Sequence, residues 1–292
     1  MKPRSILLNI PYILLAPLEL VLPLRAMLRY KIRLFEAYQP RPDDIFIVTY
    51  PKSGTTLMQM MLYQLLTDGS MEIPHILSFS PWYEFEIESN PRLLTTFESL
   101  PSPRVFKSHL RYGSLPKNAR FIYIARDIRD VAISNYHHHS LATGLDQNRN
   151  RFVDRFLRDK APMRSWFKNL ESWWPHRNDE NVLFLSYAEI IRDIEGTVRK
   201  VAFFCGIPID ESSMPRIVER CSIGFMKKHW DKFDPRLRRI SRSPAEFVRK
   251  GVAGAGRNEL TPDQEELVSR LLQELAAKLR CVQGEQHSEL FT

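Results

Sequence analysis

Residues 47–56, with the sequence IVTYPKSGTT, constrain the fold more than any other stretch of this chain. A run of β-forming residues ends at a proline, a small-residue loop follows, and an apolar helical pattern begins directly after it. Such a loop presents backbone N–H groups at the positive end of a helix dipole. Lys52 adds a full positive charge, and Gly54 lets the backbone approach a ligand closely. The segment therefore predicts a phosphate-binding loop, with an ordinary helix start as the simpler alternative.

This loop differs from the P-loop of nucleotide kinases and NTPases. That motif, G-x-x-x-x-G-K-[ST], places its lysine after both glycines. Here Lys52 precedes Gly54, and the first glycine of the motif is missing. A P-loop nucleotide kinase or NTPase is therefore kept as an alternative. A non-catalytic basic module at a membrane surface is the other alternative.

The composition agrees with a globular domain that binds an anion. The chain has 292 residues, and 43% of them are hydrophobic, which is enough for a large core. Lys and Arg total 42 against 34 Asp and Glu, a surplus that favours an anionic partner or forms a solvated basic face. The three cysteines are far apart and are not spaced as metal ligands. They predict a reducing compartment without a disulfide framework.

The order of apolar segments predicts an α/β fold. Four short stretches, rich in β-branched or aromatic residues, predict strands: residues 45–50, 104–107, 120–125 and 181–186. Helical patterns occupy residues 56–66, 130–139, 152–174, 190–205, 212–228 and 262–279. Strands that alternate with helices predict a parallel sheet covered on both faces. Only about a dozen residues join the second strand to the third, close to the lower limit for a parallel crossover.

Several segments resemble those of the cytosolic sulfotransferases. YPKSGTT at residues 50–56 resembles the family's 5′-phosphosulfate loop, Y-P-K-S-G-T-T-W. VFKSHL at 105–110, RDIRDVAIS at 126–134 and RKGVAGAGRNELT at 249–261 resemble further family motifs in the same order. The resemblance implies a central parallel β-sheet flanked by helices, with a P-loop-like phosphosulfate-binding loop. It also implies transfer of a sulfuryl group from 3′-phosphoadenosine 5′-phosphosulfate (PAPS) to a hydroxyl or amine, with adenosine 3′,5′-bisphosphate as the product.

The same resemblance implies a nucleotide site. In the family, an arginine after the third strand and a serine on the next helix hold the 3′-phosphate, and an R-K-G segment closes over it. The implied set in this chain is Lys52, Ser53, Gly54, Thr55, Thr56, Leu57, Arg126, Ser134, Tyr187, Ser222, Ile223, Met226, Arg249, Lys250 and Gly251. Two positions depart from the family, because Leu57 and Ile223 stand where it has a tryptophan and a phenylalanine on the two faces of adenine. An aliphatic adenine pocket is therefore expected.

The catalytic residues are implied by the segment that resembles the family's K-T-H-L. Residues two apart on a strand point the same way, so Lys107 and His109 should face one site. The resemblance implies that His109 is the general base and that Lys107 stabilises the sulfuryl oxygens, while Lys52 neutralises the leaving phosphate. No metal is expected, because the lysines supply the positive charge. The three histidines at 137–139 point in different directions on a helix, which disfavours a shared metal ion.

The acceptor site is less well encoded. FSPWYEFEI at residues 79–87 holds four aromatic residues in a region that borders the acceptor in the family. Trp82, Tyr83 and Phe85 are the predicted substrate-binding residues, with a small hydrophobic core under a loop as the alternative. We expect a lipophilic or aromatic small-molecule acceptor and no nucleic-acid partner. The family's dimer motif is incomplete, because Pro262 replaces a valine and removes a backbone donor, so the oligomeric state stays open.

The N-terminus carries an apolar run at residues 6–24, with twelve Leu, Ile or Val residues between basic flanks. A membrane span needs about 20 apolar residues, and here three prolines and Glu19 interrupt the run. The pattern predicts a segment that lies at a membrane interface or covers the acceptor pocket, or an arm that packs on the protein's own core. The predicted domains are therefore residues 1–34 and a single sulfotransferase domain at 35–292. The predicted location is the cytoplasm, with membrane association through residues 6–24.

Overall fold

The computed structural model describes residues 38–69, 72, 75–84, 97–143, 148–160, 165–233, 251 and 253–283. The apolar segment at 1–34, Phe85, Arg249 and Lys250 lie outside these residues. The contacts divide the chain into one unit of residues 1–39 and 84–99 and a second of residues 40–83 and 100–292. In the described part of the first unit, the rings of Tyr38 and Phe97 meet edge to face, with their centroids 6.2 Å apart. The domain boundary predicted at residue 34 stays a prediction.

The second unit is built on a four-stranded parallel sheet with the order β2-β1-β3-β4. The strands are β1 (Ile45–Thr49), β2 (Val105–Ser108), β3 (Arg120–Ala125) and β4 (Val182–Ser186). All five residues of β1 are buried, as expected for a central strand covered on both faces. The α/β fold and the four strands predicted from the sequence are confirmed.

The short link between β2 and β3 passes across the central strand. Ile45 pairs with Val105 on one side and with Arg120 on the other, so β1 separates β2 from β3. The link contains a single 3₁₀ turn, Tyr112–Ser114. The parallel connection predicted from so few residues is therefore confirmed, and it carries no α-helix.

Ten α-helices are described around this sheet. They are α1 (Thr55–Leu66), α2 (Ile76–Phe79), α3 (Ile128–Thr143), α4 (Arg149–Leu157), α5 (Trp166–Trp173), α6 (Tyr187–Arg192), α7 (Ile194–Cys205), α8 (Met214–Arg220), α9 (Ile223–Lys228) and α10 (Pro262–Gln283). None of the helices in the described part of the chain is both long and apolar enough to cross a membrane.

The prediction of one continuous helix is wrong for three stretches, because the structure has two shorter helices in each of them. The pattern at 152–174 is divided between α4 and α5, and that at 190–205 between α6 and α7; α8 and α9 divide 212–228. A polar cap starts each second helix. Ser165 accepts a hydrogen bond from the backbone N–H of Lys168, and Asp193 and Ser222 cap α7 and α9 in the same way. Hydrophobic periodicity continues across such caps, so it does not reveal the break.

The two faces of the sheet bury different side chains. Alternate residues of β1 point in opposite directions. Ile45 and Ile47 join an aliphatic core to which α1, α7 and α8 contribute. On the other face, the ring of Phe46 stacks on Phe106 with centroids 5.1 Å apart and lies 5.8 Å from Phe121. Both faces are thus closed, and the carboxyl ends of the strands are left to carry ligands.

Candidate active site

The loop after β1 is shaped by two residues with positive φ. Lys52 has φ 70° and Gly54 has φ 107°, and α1 begins at the next residue, Thr55. A Cβ atom at Gly54 would lie 2.7 Å from Cδ2 of Tyr187, closer than real Cβ contacts come. Only glycine therefore fits between the left-handed turn and the tyrosine ring. The predicted strand, loop and helix start are confirmed as structure.

Two hydroxyl groups of this loop are buried. Ser53 is 1% exposed, and its Oγ has no hydrogen-bond partner within the described part of the chain. Thr55 is also buried, and its Oγ1 pairs with Oγ1 of Thr49 at 2.6 Å. A buried hydroxyl without a protein partner suits a ligand oxygen, because leaving it unbonded is costly. The loop thus fits an anionic group that approaches the start of α1.

His109 lies beside the same loop. Its Nδ1 is 2.9 Å from the carbonyl oxygen of Thr49 and 3.2 Å from Thr49 Oγ1. A carbonyl oxygen only accepts, so Nδ1 carries the proton and Nε2 keeps the lone pair.

The surroundings of His109 favour the neutral ring. Although His109 keeps some exposed surface, the protein packed around it removes solvation, and this is the main reason that its pKa falls to about 3. The charge of Lys107 lowers the pKa further, and that of Lys52 adds to the effect, while the bond to Thr49 opposes it. The imidazole is therefore an unprotonated acceptor at neutral pH.

Trp82 joins Lys107 and His109. Nζ of Lys107 lies 4.5 Å from the centroid of a Trp82 ring, in a cation–π contact. The rings of Trp82 and His109 meet edge to face at 5.2 Å. The backbone holds this group together, because the N–H of Lys107 donates to the carbonyl of Pro81 at 3.0 Å. Lys107 and His109, which were predicted to face one site, thus both contact the side chain of Trp82.

Tyr83, another predicted acceptor residue, is in a different environment. It is 3% exposed, and its ring meets those of Phe46 and Phe106 edge to face. This contact fits the hydrophobic-core alternative for that tyrosine. A role for Tyr83 at the acceptor stays a prediction.

Arg126 lies at the end of β3 and links several predicted nucleotide residues. Its Nη1 donates to the carbonyl oxygen of Lys52 at 3.0 Å, and its guanidinium lies 4.1 Å from the centroid of the Tyr187 ring. Nε also lies 3.4 Å from Oδ2 of Asp130. Ser134 follows Asp130 by one turn of α3 and is half-buried. The arginine is therefore held in one orientation from three sides.

A pocket of about 340 Å³ opens beside Arg126, at the ends of β3 and β4. Its lining combines apolar walls with charged groups: Ala125, Arg126, Asp127, Asp130, Trp166, Leu170, Ser186, Tyr187, Ala188, Ala253, Gly254 and Arg257.

The residues predicted along the adenosine lie around the start of α9. Gly251, with φ 61°, is so close to Ile223 that a Cβ atom there would lie 2.3 Å from Cγ1 of Ile223. Ser222 caps α9, and Met226 is buried at 3% exposure. Leu57 is 4% exposed and belongs to the same aliphatic core as Met226. The structure thus brings Gly251 against Ile223, while the role of these residues in nucleotide binding stays a prediction.

Two residues gain a place in the site that the sequence did not give them: Thr49, and Asp130, which lies in the segment that resembles the family's 3′-phosphate motif but was assigned no role. Thr49 is buried at the end of β1 and joins His109 to Thr55. Asp130 accepts hydrogen bonds from the backbone of Gly254 and Gly256. A polar residue inside an apolar strand was the available signal for Thr49, whereas nothing local reveals the partners of Asp130.

Comparison with known proteins identifies the family. The sequence model of the sulfotransferase domain matches residues 42–280. Sulfotransferase 1B1 of Mus musculus is 33% identical over 249 residues, which cover 79% of this chain and 82% of the relative. The amine sulfotransferase of Oryctolagus cuniculus is 31% identical over 256 residues, covering 81% and 82% of the two chains.

Solved structures agree with these matches. Mouse sulfotransferase SULT7A1, complexed with PAP, has a TM-score of 0.69 and 28% identity, and the match covers 88% of this chain and 93% of the mouse chain. Retinol dehydratase, in complex with androsterone and PAP, has a TM-score of 0.74 and 23% identity, covers 86% and 85% of the two chains, and shows the same fold. The chain belongs to the sulfotransferase domain family, and within it to the cytosolic-type, PAPS-dependent sulfotransferases. The predicted donor is thereby confirmed, and the kinase and binding-module alternatives are set aside.

Proposed function

We propose that this enzyme transfers the sulfuryl group of PAPS to a hydroxyl, or alternatively an amine, of a lipophilic or aromatic small molecule, with His109 as the general base. The arrangement of His109 carries the proposal. Its Nδ1–H is held by Thr49, its Nε2 is an unprotonated acceptor, and the ammonium group of Lys107 contacts the same Trp82 ring system and lowers the pKa of the imidazole. These are the requirements for removing the acceptor proton beside a centre that develops negative charge.

The low pKa of His109 belongs to the protein without its anionic substrate. The charges of Lys107 and Lys52 contribute to it. A bound phosphosulfate supplies the sulfuryl group, and its negative charge offsets these two lysines. The pKa of His109 then rises toward the range in which a histidine accepts a proton efficiently.

Lys107 and Lys52 are proposed to stabilise negative charge at two different places. Lys107 is placed beside Trp82 and His109, where it would stabilise the transferring sulfuryl oxygens. Lys52 lies in the loop at the start of α1, where it would neutralise the leaving phosphate oxygen. In-line group transfer of this kind relies mainly on positioning and on cationic stabilisation.

Features of the loop and of Arg126 support the nucleotide site. The unpartnered Ser53 Oγ and the glycine at residue 54 fit a 5′-phosphosulfate. Arg126 is oriented by Lys52 O and Tyr187, and it would hold the 3′-phosphate together with Ser134 and residues 249–251. The mouse structure described above contains PAP, which supports the same assignment.

The lipophilic or aromatic character of the acceptor is proposed from the position of the Trp82 side chain. This side chain meets His109 edge to face, so an acceptor that reaches Nε2 would lie against an apolar surface. The relative named as an amine sulfotransferase keeps an amine as the alternative to a hydroxyl. Membrane contact through residues 6–24 remains a prediction, because residues 1–37 lie outside the described part of the chain. Cytoplasmic location remains a prediction, and the oligomeric state stays open.

The test is a sulfation assay with the full-length protein, ³⁵S-labelled PAPS, and a panel of phenols, long-chain alcohols and primary amines. His109→Ala should lower turnover by at least about a hundredfold. The affinity for adenosine 3′,5′-bisphosphate, measured by calorimetry, should stay within about threefold. His176→Ala is the matched control, because His176 stacks on Tyr112 and belongs to no proposed site. Turnover of His109→Ala near that of the parent would overturn the general-base assignment.

A further inference from the structure

The carboxylate of Asp130 has a set of partners that the proposed chemistry does not explain. Asp130 lies in the first turn of α3 and is 4% exposed. Its Oδ1 accepts the backbone N–H of Gly256 at 2.7 Å, and its Oδ2 accepts that of Gly254 at 2.9 Å. Nε and Nη2 of Arg126 both lie 3.4 Å from Oδ2. One buried carboxylate therefore joins a loop that is distant in sequence to the arginine that directly follows β3.

The loop is docked directly on the start of α3. A Cβ atom at Gly256 would lie 2.5 Å from the carbonyl carbon of Arg129 and 2.6 Å from the backbone N of Asp130. The backbone of the loop thus packs on the backbone of α3. The hydrogen bonds from Gly254 and Gly256 to Asp130 fix the position of the loop on this helix. Gly251, a few residues earlier, lies against Ile223 at the start of α9. Without the carboxylate, the loop would lose its attachment to α3 close to Gly251, which lies beside Ile223, a proposed adenosine-binding residue.

The other side of the carboxylate orients Arg126. The guanidinium is limited by Lys52 O, by the Tyr187 ring and by Asp130. Its side chain keeps 15% of its surface exposed, so the arginine is not sealed off from a ligand. An arginine offers two parallel donors to a phosphate only when its plane is fixed, and a buried carboxylate behind it fixes that plane.

We propose that Asp130 is a positioning residue for the 3′-phosphate of the nucleotide: it holds Arg126 and the loop at residues 253–256 in the arrangement that distinguishes 3′-phosphorylated from 3′-dephosphorylated nucleotides. This inference rests on the proposed role of Arg126 at the 3′-phosphate. Asp130 is itself an anion and repels a phosphate, so it acts through Arg126 and the Gly254 and Gly256 amides.

The test compares Asp130→Asn with the parent protein by calorimetry, with adenosine 3′,5′-bisphosphate and adenosine 5′-phosphate as probes. The variant should lose at least about tenfold in affinity for the bisphosphate and less than about threefold for the 5′-phosphate. The KM for PAPS should rise with the same factor, while kcat at saturating PAPS stays within about threefold. Asp127→Asn is the matched control, because Asp127 lines the same pocket but bonds to Arg129 instead. It should leave the ratio of the two affinities unchanged.

Hydrogen exchange gives an independent measurement. The amides of Gly254 and Gly256 should exchange faster in Asp130→Asn, while those of helix α7, to which Asp130 makes no described hydrogen bond, keep their rates. Should Asp130→Asn fail to fold, Asp130→Glu replaces it, since glutamate keeps the charge but moves both oxygens. The same selective loss is then expected.

The outcomes separate this inference from the proposed function. Equal losses for both nucleotides, no loss for either, or the same ratio change in Asp127→Asn would overturn the role of Asp130. A parent protein that binds the two nucleotides equally would overturn the assignment of Arg126 and Asp130 together. A failure of the His109 assay leaves these affinities untouched, so it would count against the proposed base alone.

Discussion

The carbonyl oxygen of Thr49 accepts a hydrogen bond from Nδ1 of His109 at 2.9 Å. Because this oxygen belongs to the last residue of β1, the strand that leads into the phosphosulfate loop also fixes the tautomer of the proposed base. The Thr49 hydroxyl continues the connection to Oγ1 of Thr55, the first residue of α1. Loop, base and strand end therefore form one hydrogen-bonded unit.

We expect His109 to stay neutral in the free protein across the physiological pH range. Its folded-state pKa is about 3 against an ordinary 6.5, so the unfolded chain binds the extra proton between these values. The resulting contribution to stability is complete above pH 6.5 and is lost progressively as the pH falls toward 3. Ring-nitrogen NMR shifts of His109 should stay constant from pH 8 to about pH 5. A midpoint near 6.5 would contradict the prediction.

Thr49→Val should slow turnover without unfolding the protein. Valine keeps the shape of the buried threonine and its backbone carbonyl, but it removes the hydroxyl that bonds to Thr55 and approaches His109. A lost hydrogen bond of about 0.5–1.5 kcal/mol corresponds to a kcat lower by about 2–13-fold. Thr49→Ser is the control, and it should keep most of the parent rate. Equal losses in both variants would show that packing, not the hydroxyl, matters.

Gly54→Ala should weaken nucleotide binding, whereas an alanine at another glycine with positive φ should not. The new methyl group would meet the Tyr187 ring at 2.7 Å, and φ 107° is unfavourable for alanine. Gly206→Ala provides the comparison, since Gly206 also has a positive φ, of 70°, but nothing lies within 4 Å of its added Cβ. Both variants should lower the melting temperature, and only Gly54→Ala should lower the affinity for adenosine 3′,5′-bisphosphate. Unchanged affinity in Gly54→Ala would argue against a phosphate site at this loop.

Asp44→Asn should destabilise the fold strongly. Asp44 and Arg104 have fully buried side chains and form a two-bond ion pair at 2.6 and 2.7 Å, just before β1 and β2. Removing one partner leaves the other charge buried, which costs about 3–5 kcal/mol of unfolding free energy in urea titrations. Arg199→Met, which breaks exposed ion pairs with Glu195 and Glu211, is the control and should change little. A similar small change for Asp44→Asn would contradict the prediction.

The sheet was predictable because its strands are short and continuously apolar. IFIVT in β1 and RFIYIA in β3 are buried on both faces, so their sequences contain little besides β-branched and aromatic residues. The helix boundaries were not predictable from the same pattern. Asp193 and Ser222 interrupt helices by capping the next one, and a periodicity of apolar residues does not register a polar residue that turns the backbone.

The geometry of the candidate site was predictable where one segment contains all of the parts concerned. The phosphosulfate loop and the pair Lys107 and His109 are local patterns on strand ends, and the structure places them together. The bond from Asp130 to Gly256 joins residues that are 126 positions apart. Neither residue carries a local signal for the other, so only the folded chain shows that they meet.

The central place of β1 has a consequence for how the enzyme becomes active during folding. Its partners, Val105 and Arg120, are about 60 and 75 residues away, so closing the sheet costs the entropy of long loops. We expect Thr49 to meet His109 only after β1 has paired with β2, whereas α1 can form locally. A nascent chain that ends before His109 therefore lacks the proposed catalytic unit, however well its first helix is formed. Activity should be among the last properties to return when the unfolded chain is diluted out of denaturant.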